Sequence, residues 1–413
     1  MSKKEHGLSP IESIATENLQ TIAVEVEDFD FEKLGNFLEA TSYIQLAAEP
    51  LLTSIQEVQI KNEKIYVHDR LSRIICYDMQ GNVIYIIDAK GAGPGEYTNV
   101  NAFVVNEQNG ELVIFDNFRQ SLLYYNADNG AYIKMQKLGK PDPTAMASLR
   151  GVYYYDNRYH NNYANDTTLY YSLLISKDGT CMEQRYFPHN EAESSYHFTP
   201  GQPFSYNDSV LYYCKAFDSV VYELSPEGLK ALYEIELPNP LPFSKIEDKA
   251  DEWNLMKSEY SIGLEKICRC NDLLYFQFSK DGFLQLGLYD LAQKKQIYCG
   301  KRLTDKVGKS VPVFRLIDGV YKGKFWGIIT PETVDYALSE EPNKDYPDII
   351  RNYNPDTDNI EEWLCDYIEP VSPNNIEITY VGNPSIRVGG SYKTFTANTL
   401  TPVTWNIVAT PDV

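Results

Sequence analysis

Two aspartates that hold the same place in successive repeats are the residues best suited to chemistry. Asp69 ends the apolar run "KIYVHD" and Asp116 ends the run "ELVIFD". Two carboxylates on one surface could act as general acid and base, or supply oxygen ligands to calcium. Recurrence at one position is also what turn capping predicts, because aspartate accepts hydrogen bonds from nearby backbone amides. The capping interpretation needs no ligand, and we favour it.

A glycine-rich segment, "GAGPGEY" at residues 91–97, lies between these two aspartates. A phosphate-binding loop would need a lysine and a following helix, whereas here a glutamate and the strand-like run "NVNAFVV" follow. The glycine spacing also differs from that of the dinucleotide fingerprint. We therefore predict a junction between two repeats, in which three glycines give the backbone freedom and Pro94 fixes its own φ.

The same junction could contribute to a binding surface. If repeat junctions share one face with the turn after the second strand of each repeat, charged and aromatic side chains surround the mouth of one funnel. The candidate ligand-binding residues are Asp69, Arg70, Lys90, Glu96, Tyr97, Asp116 and Arg119. We assign no catalytic residue among them.

The metal-ligating residue types form no recognisable motif. The 5 histidines and 7 cysteines are scattered, and no paired CxxC spacing occurs. Cys268 and Cys270 alternate along a predicted strand. The acidic segment 354–362, "NPDTDNIEE", lacks the glycine of an EF-hand loop. We expect no cofactor, and calcium stays the open alternative because its oxygen ligands could come from many of the 58 acidic residues.

Charge and hydropathy exclude several classes of partner. The formal net charge of −21 opposes binding to nucleic acid, which needs clustered Lys and Arg. No apolar run reaches the roughly 18 residues of a membrane span, so we expect no transmembrane segment. No GxSxG motif supports a serine hydrolase. The 33 tyrosines favour β-strands.

The elements that must position these residues are short strands that repeat along the chain. Tyr77, Tyr125, Ile175 and Tyr222 mark equivalent strands about 47 to 50 residues apart, a period typical of propeller blades. Copies cover residues 64–88, 111–135, 168–187, 210–235 and 273–298, and a degenerate copy covers 323–338. The sequence therefore predicts an all-β, six-bladed β-propeller of four-stranded antiparallel blades.

Three regions outside the repeats complete the predicted organisation. Residues 1–20 are expected to be a flexible tail, and residues 21–370 the propeller, with an inserted helix at about 242–267 because that segment is rich in Glu, Lys and Leu. The alternating segment 21–34 could complete the last blade. Residues 374–413 form a predicted C-terminal β extension, either a hairpin or a truncated immunoglobulin-like module.

The first two repeats carry a family resemblance. The stretches "IYVHDRLSRIICYDMQGNVIYII" and "AKGAGPGEYTNVNAFVV", with the later "VLYYCKAFDSVVYEL", resemble the six-bladed β-propeller proteins of Bacteroidetes. These are relatives of the NHL and TolB-like propellers and are often exported lipoproteins of undetermined function. The resemblance implies export to the periplasm or cell surface, with a lipid anchor in the full-length precursor. The sequence departs from the family in having no export signal or lipobox cysteine at its start.

The leading functional hypothesis is a non-enzymatic binding module whose top face recognises a protein, peptide or glycan. Abundant tyrosine favours it, because tyrosine offers rigid contact area with a polar tip. One alternative is a divalent-metal-dependent hydrolase or lyase of the lactonase-like propeller type. The other is a structural spacer in a surface protein.

Overall fold

The computed structural model divides the chain into two units, Met1–Ile360 and Glu361–Val413. In the first unit it describes residues 14–27, 43–138, 141–158, 170–189, 202–207, 209–242, 258–301, 317–329, 334–335, 338–339 and 342–343. In the second unit it describes the backbone of residues 376–380, 385–388, 391–394 and 403–407.

The described part of the first unit consists mainly of antiparallel blades of four strands. One strand, β1 (Gln20–Ala23), precedes them. Blade I contains β2 (Ile55–Lys61), β3 (Lys64–Asp69), β4 (Ile74–Asp78) and β5 (Val83–Ile87). Blade II contains β6 (Ala102–Asn106), β7 (Glu111–Asp116), β8 (Ser121–Asn126) and β9 (Tyr132–Lys137).

Blade III contains β10 (Ala145–Leu149), β11 (Val152–Asp156), β12 (Tyr170–Ser176) and β13 (Gln184–His189). Blade IV contains β14 (Phe204–Asn207), β15 (Val210–Cys214), β16 (Val220–Ser225) and β17 (Gly228–Glu236). Blade V contains β18 (Ser261–Cys270), β19 (Leu273–Lys280), β20 (Phe283–Asp290) and β21 (Lys295–Gly300). The strands of each blade pair in sequence order, which confirms the predicted all-β propeller of small antiparallel blades.

The apolar core lies between successive blades. The middle strands are apolar on both faces, so one face packs on the preceding blade and the other on the next. Between blades I and II, for example, Tyr66 and Cys76 pack with Phe103 and Leu112. Many of the largest buried side chains are tyrosines, and most of these tyrosines lie in the strands.

The expected number of six blades is wrong for the described residues, which form five four-stranded blades. The degenerate copy at 323–338 instead contributes to a hairpin, β22 (Gly319–Tyr321) and β23 (Lys324–Trp326), while residues 334–335 and 338–339 are helical. The face of blade I opposite to blade II is covered by an extended segment, in which Leu46 and Leu52 pack on the cluster around Tyr77.

The hairpin joins blade V to blade I. Lys266 of β18 forms an ion pair of 2.9 Å with Asp318, which directly precedes the hairpin. At the hairpin turn, Lys322 Nζ lies 2.5 Å from Glu63 Oε1 in the first turn of blade I. The Tyr321 hydroxyl accepts a hydrogen bond of 3.0 Å from the Glu63 amide. These contacts close the ring of blades.

The predicted helix at 242–267 is wrong over its described C-terminal part. Residues 261–267 belong to β18, which is buried along most of its length. The charged residues that suggested a helix have partners inside the sheet, since Lys266 pairs with Asp318 and Glu265 accepts a hydrogen bond from the Ser279 hydroxyl. Ile246, Trp253 and Met256, on which the predicted helical spacing rested, lie outside the described residues.

The N-terminal strand pairs with blade IV, not with the last blade as expected. β1 adds in parallel to the outer strand β17, with Gln20 opposite Tyr233 and Ala23 opposite Glu236. The chain then continues along blade V, where the Glu27 amide donates to the Cys299 carbonyl at 2.7 Å. Residues 20–27 therefore form an N-terminal strap across the outer edges of blades IV and V.

The second unit contains strands β24 (Ile376–Tyr380), β25 (Ser385–Val388), β26 (Ser391–Thr394) and β27 (Val403–Ile407). β24 pairs with β27 and β25 pairs with β26, both antiparallel. Whether this unit is the start of an immunoglobulin-like module stays a prediction. Among the described residues of the whole chain, no helix is long and apolar enough to cross a membrane.

Candidate functional site

The predicted site residues lie on one face of blades I and II. β3 and β5 run in the same direction, so the turn after β3 and the junction at 88–101 emerge at the same edge of blade I. The Tyr97 hydroxyl of the junction lies 2.7 Å from the Ser72 carbonyl oxygen in that turn. We call the face that carries the turns after the second strand of each blade, together with these junctions, the top face.

The segment at 91–97 is part of the junction between blades I and II, as predicted. The Gly91 amide donates to the Tyr97 carbonyl at 2.9 Å, and the Tyr97 amide donates to the Ala89 carbonyl at 2.8 Å. Inside this closed loop, Glu96 Oε2 accepts a hydrogen bond of 2.7 Å from the Gly93 amide. The Glu96 carboxylate thus accepts a hydrogen bond from the backbone of its own loop.

Asp69 is fully buried and holds the turn after β3. Its carboxylate accepts hydrogen bonds from the Arg73 amide at 3.0 Å and from Arg73 Nη2 at 2.5 Å. Burial alone would raise the pKa of Asp69, but the hydrogen bonds and charge of Arg73 lower it below the ordinary value. Arg73 Nη2 also donates to the Leu51 carbonyl at 2.7 Å, which ties the turn to the chain entering blade I.

Asp116 holds the corresponding turn in blade II through hydrogen bonds from backbone amides. Its Oδ1 accepts from the amides of Phe118 and Arg119 at 3.0 and 3.1 Å, and its Oδ2 accepts from the Thr98 amide at 2.6 Å. Arg119 Nη1 donates to the Glu96 carbonyl oxygen of the junction. Both aspartates therefore cap turns, as the recurrence of the residue suggested.

A third aspartate, Asp156, was missed by the sequence analysis. It ends β11, the second strand of blade III, and is 1% exposed. Its Oδ1 accepts a hydrogen bond of 2.8 Å from the Tyr213 hydroxyl of blade IV, and Arg158 Nε lies 3.6 Å from its Oδ2. Burial raises its pKa despite these partners. The signal was present in "VYYYD", an apolar run that ends in aspartate like the two earlier repeats.

The seven candidate residues differ in their accessibility. Arg70 and Lys90 are exposed on the top face, whereas Asp69, Tyr97 and Asp116 are buried. Glu96 and Arg119 are partly buried and bonded within the junction. A ligand on this face would meet the side chains of Arg70 and Lys90 directly, and their role in binding stays a prediction.

The sequence analysis also missed a set of apolar side chains in the top-face turns. Leu71, Phe118 and Phe283 are 45, 75 and 54% exposed in blades I, II and V. In blade IV the corresponding turn carries Phe217, which is partly buried. Alignment of the turns in "DRLSR", "DNFRQ", "CKAFDS" and "SKDGF" would have revealed the recurrence.

The central channel carries a separate polar cluster. Lys61 at the end of β2 pairs with Glu107 at 3.2 Å, and its Nζ lies 3.4 Å from the centroid of the Tyr206 ring in blade IV. On the same strand, burial raises the pKa of Glu57 to about 7, opposed by a hydrogen bond from Gln59. Across the part of the chain that the structure describes, no three His, Cys, Asp or Glu side chains lie close enough to hold a metal ion.

Comparison with protein families identifies the chain's relatives. A family model with the description "Domain of unknown function (DUF4934)" matches residues 21–360, most of the chain. The protein belongs to the DUF4934 family. None of the curated proteins matches the chain.

Similar solved structures include two Bacteroides proteins. The DUF4934 chain is similar to a Bacteroides fragilis protein that bears the provisional name of an exported protein, with a TM-score of 0.56 and 16% identity over 68% of this chain and 79% of the other. A member of the DUF4221 family from Bacteroides vulgatus gives a TM-score of 0.43 and 11% identity over 62% of this chain and 84% of the other. At 16% identity the likeness to the Bacteroides fragilis structure shows the fold alone.

Proposed function

We propose that this protein is a non-enzymatic binding module that recognises a protein or peptide partner through its top face. The observation that carries the proposal is the recurrence of a large apolar side chain in or directly after the top-face turns of four blades: Leu71, Phe118, Phe217 and Phe283, of which Phe217 is partly buried. Single exposed apolar residues are ordinary on protein surfaces. A set repeated on one face offers several rigid anchors, which is how protein partners are commonly bound.

The charges around these anchors fit the same role. Arg70, next to Leu71 in the chain, is exposed, and so is Lys90 of the junction. Lys301 Nζ lies 3.9 Å from the centroid of the Phe283 ring. The carboxylates of Asp69 and Asp116 are occupied by their own turns, which argues against an acid–base pair. Leu71 favours a peptide over a glycan, because sugars stack on aromatic rings and leucine has none.

The bacterial cell envelope is the proposed location. The support is the name of the similar Bacteroides fragilis structure as an exported protein, together with the resemblance of the first two repeats to exported propellers. A rigid ring of packed blades suits such a role, since it presents fixed turns without needing to change shape on binding.

The test is selection of binders followed by removal of the anchors. A library of 12-residue peptides is selected on the wild-type protein, and the affinity of recovered peptides is measured by fluorescence anisotropy. The triple variant Leu71→Ser, Phe118→Ser, Phe283→Ser is expected to bind them at least tenfold more weakly. The matched control Ile84→Ser, Ile86→Ser removes two apolar side chains of 42 and 43% exposure from the outer edge of blade I and should bind normally.

Two results would reject the proposal. One is recovery of no peptide that binds the wild-type protein, and the other is unchanged affinity for the triple variant. Circular dichroism of each variant shows that the blades are intact before binding is compared.

A further inference from the structure

The outermost strand of blade II, β9, presents apolar side chains to solvent at a sheet edge. Tyr132, Ile133 and Met135 are 41, 46 and 38% exposed. β9 is the last strand of its sheet, and within the described residues no strand pairs with its outer side. An edge with free backbone groups and exposed apolar side chains is a template for another strand.

Other blade edges of this protein already accept extended chain. β1 adds to the outer strand of blade IV, and the next residues of the N-terminal strap bond to blade V through Glu25 and Gln296. In that strap Ile22 is fully buried, so strand addition also buries apolar side chains. The blade geometry is therefore compatible with a fifth strand.

The charged residues of β9 indicate which kind of strand could pair with its outer edge. The sequence of β9, "YIKMQK", contains two lysines and no acidic residue, in a chain of net charge −21. Lys134 Nζ lies 4.4 Å from the centroid of the Tyr124 ring, and Lys137 Nζ donates to the Arg119 carbonyl at 2.6 Å. Both ammonium groups thus rest against the blade, and because the lysines belong to the edge strand itself, acidic side chains of an added strand would lie within reach of them.

We propose that β9 is the docking edge for an extended acidic segment of a partner protein, which adds to blade II as a fifth strand. A second copy of this chain does not fit, because pairing two β9 strands would bring four lysines together. The acidic strand is attracted locally, since repulsion from the rest of the surface is screened beyond about 8 Å at physiological salt.

Blade I supplies an internal comparison. Its outermost strand β5, "VIYII", exposes Ile84 and Ile86 to nearly the same extent as β9 exposes its apolar residues, but it contains no charged residue. If apolar contact alone attracted a strand, both edges would bind it. Preferential binding of a strand to β9 over β5 would therefore measure the contribution of the lysines.

The test is hydrogen exchange by mass spectrometry with two synthetic peptides at millimolar concentration. The probes are acetylated, amidated octapeptides of alternating Glu and Val, and of alternating Lys and Val. The acidic peptide is expected to slow exchange of residues 132–137 at least threefold and to leave residues 83–87 unchanged. The basic peptide should have no effect on either strand.

Variants separate this edge from the top face. Lys134→Glu, Lys137→Glu is expected to abolish the protection, while Lys177→Glu, an exposed lysine on blade III, leaves it intact. The Leu71→Ser, Phe118→Ser variant should also leave it intact, so that failure of the top-face proposal does not affect this one. No protection of β9, equal protection of β5, or protection that survives the double lysine variant would overturn the proposal.

Discussion

At the scale of single residues, an aspartate ends the second strand in each of blades I, II and III, but the three electrostatic environments differ. Asp69 bonds to the Arg73 guanidinium at 2.5 Å and has a lowered pKa, whereas the Arg158 guanidinium lies 3.6 Å from Asp156, whose pKa burial raises. Asp116 is satisfied mainly by backbone amides. The shared property is geometric, because each aspartate ends the second strand of its blade and bonds to the connection that follows or to the next blade. The recurrence of aspartate in the sequence is therefore explained by its place in the fold.

Replacing Asp69 by Asn should destabilise the protein by about 2 to 4 kcal/mol at pH 7, because Arg73 would keep its charge without a buried partner. Since the native pKa of Asp69 is lowered, its contribution is present above the unfolded-state pKa near 4 and is lost as the pH falls through the native value. The difference between variant and wild type should therefore shrink in acid. Urea unfolding at pH 7 and at pH 2.5 measures it.

The control for this prediction is Asp128→Asn. Asp128 pairs with Lys64 at 2.5 Å, but its side chain is 81% exposed, so the loss should stay below about 1 kcal/mol. Equal losses in the two variants would show that burial of the Asp69 pair does not contribute.

At the scale of elements, the sequence predicted what depends on local pattern. The strands of blades I and II, the junction between them and the all-β class follow from alternation and turn residues. The strand at β18 was missed because Glu265 and Lys266 resemble helix surface, and only the tertiary partners Ser279 and Asp318 explain their burial. Blade number was missed because the degenerate copy at 323–338 was counted as a blade, whereas its described strand residues belong to a two-stranded hairpin.

The candidate site also has features that the local sequence predicts and features that depend on tertiary contacts. The turn residues Leu71 and Phe118 could be found by aligning repeats, but their exposure could not, since it depends on which neighbouring side chains reach the turn. Arg70 and Lys90 are exposed on the top face, and whether they bind a ligand stays a prediction. The sequence could not show that Tyr97 turns inward to bond the Ser72 carbonyl.

The junction loop offers a direct test of this element. Gly95 has φ of +77°, and a Cβ there would meet Tyr132 Cγ at 2.8 Å, so Gly95→Ala combines backbone strain with a clash. We expect a loss of about 2 to 4 kcal/mol in urea unfolding. The control Gly110→Ala has a similar φ of +65° with no atom within 4 Å, and should lose only about 1 kcal/mol. A smaller loss at position 95 than at 110 would contradict the close packing of the junction.

At the scale of the whole molecule, the ring depends on chain segments that are not blades. The hairpin β22–β23 links blade V to blade I, and the N-terminal strap links the outer edges of blades IV and V. Ile22 and Val24 of the strap pack among residues from both blades, including Ile235 and Leu264. Residues near the start of the chain thus stabilise an interface formed about 200 residues later.

Truncating Ile22 to Ala tests this long-range contribution. The side chain is fully buried, so the substitution should cost about 2 to 4 kcal/mol through lost apolar contact and the cavity that remains. The neighbouring Thr21 is exposed on the same strand, and Thr21→Ala should change stability by less than about 0.5 kcal/mol. Urea unfolding gives both values, and hydrogen exchange should show faster opening of β17 in the Ile22 variant alone. If the two variants were equally stable, the strap would not contribute to the stability of blades IV and V. A loss of stability in the Ile22 variant alone would show that the strap is part of the folding unit.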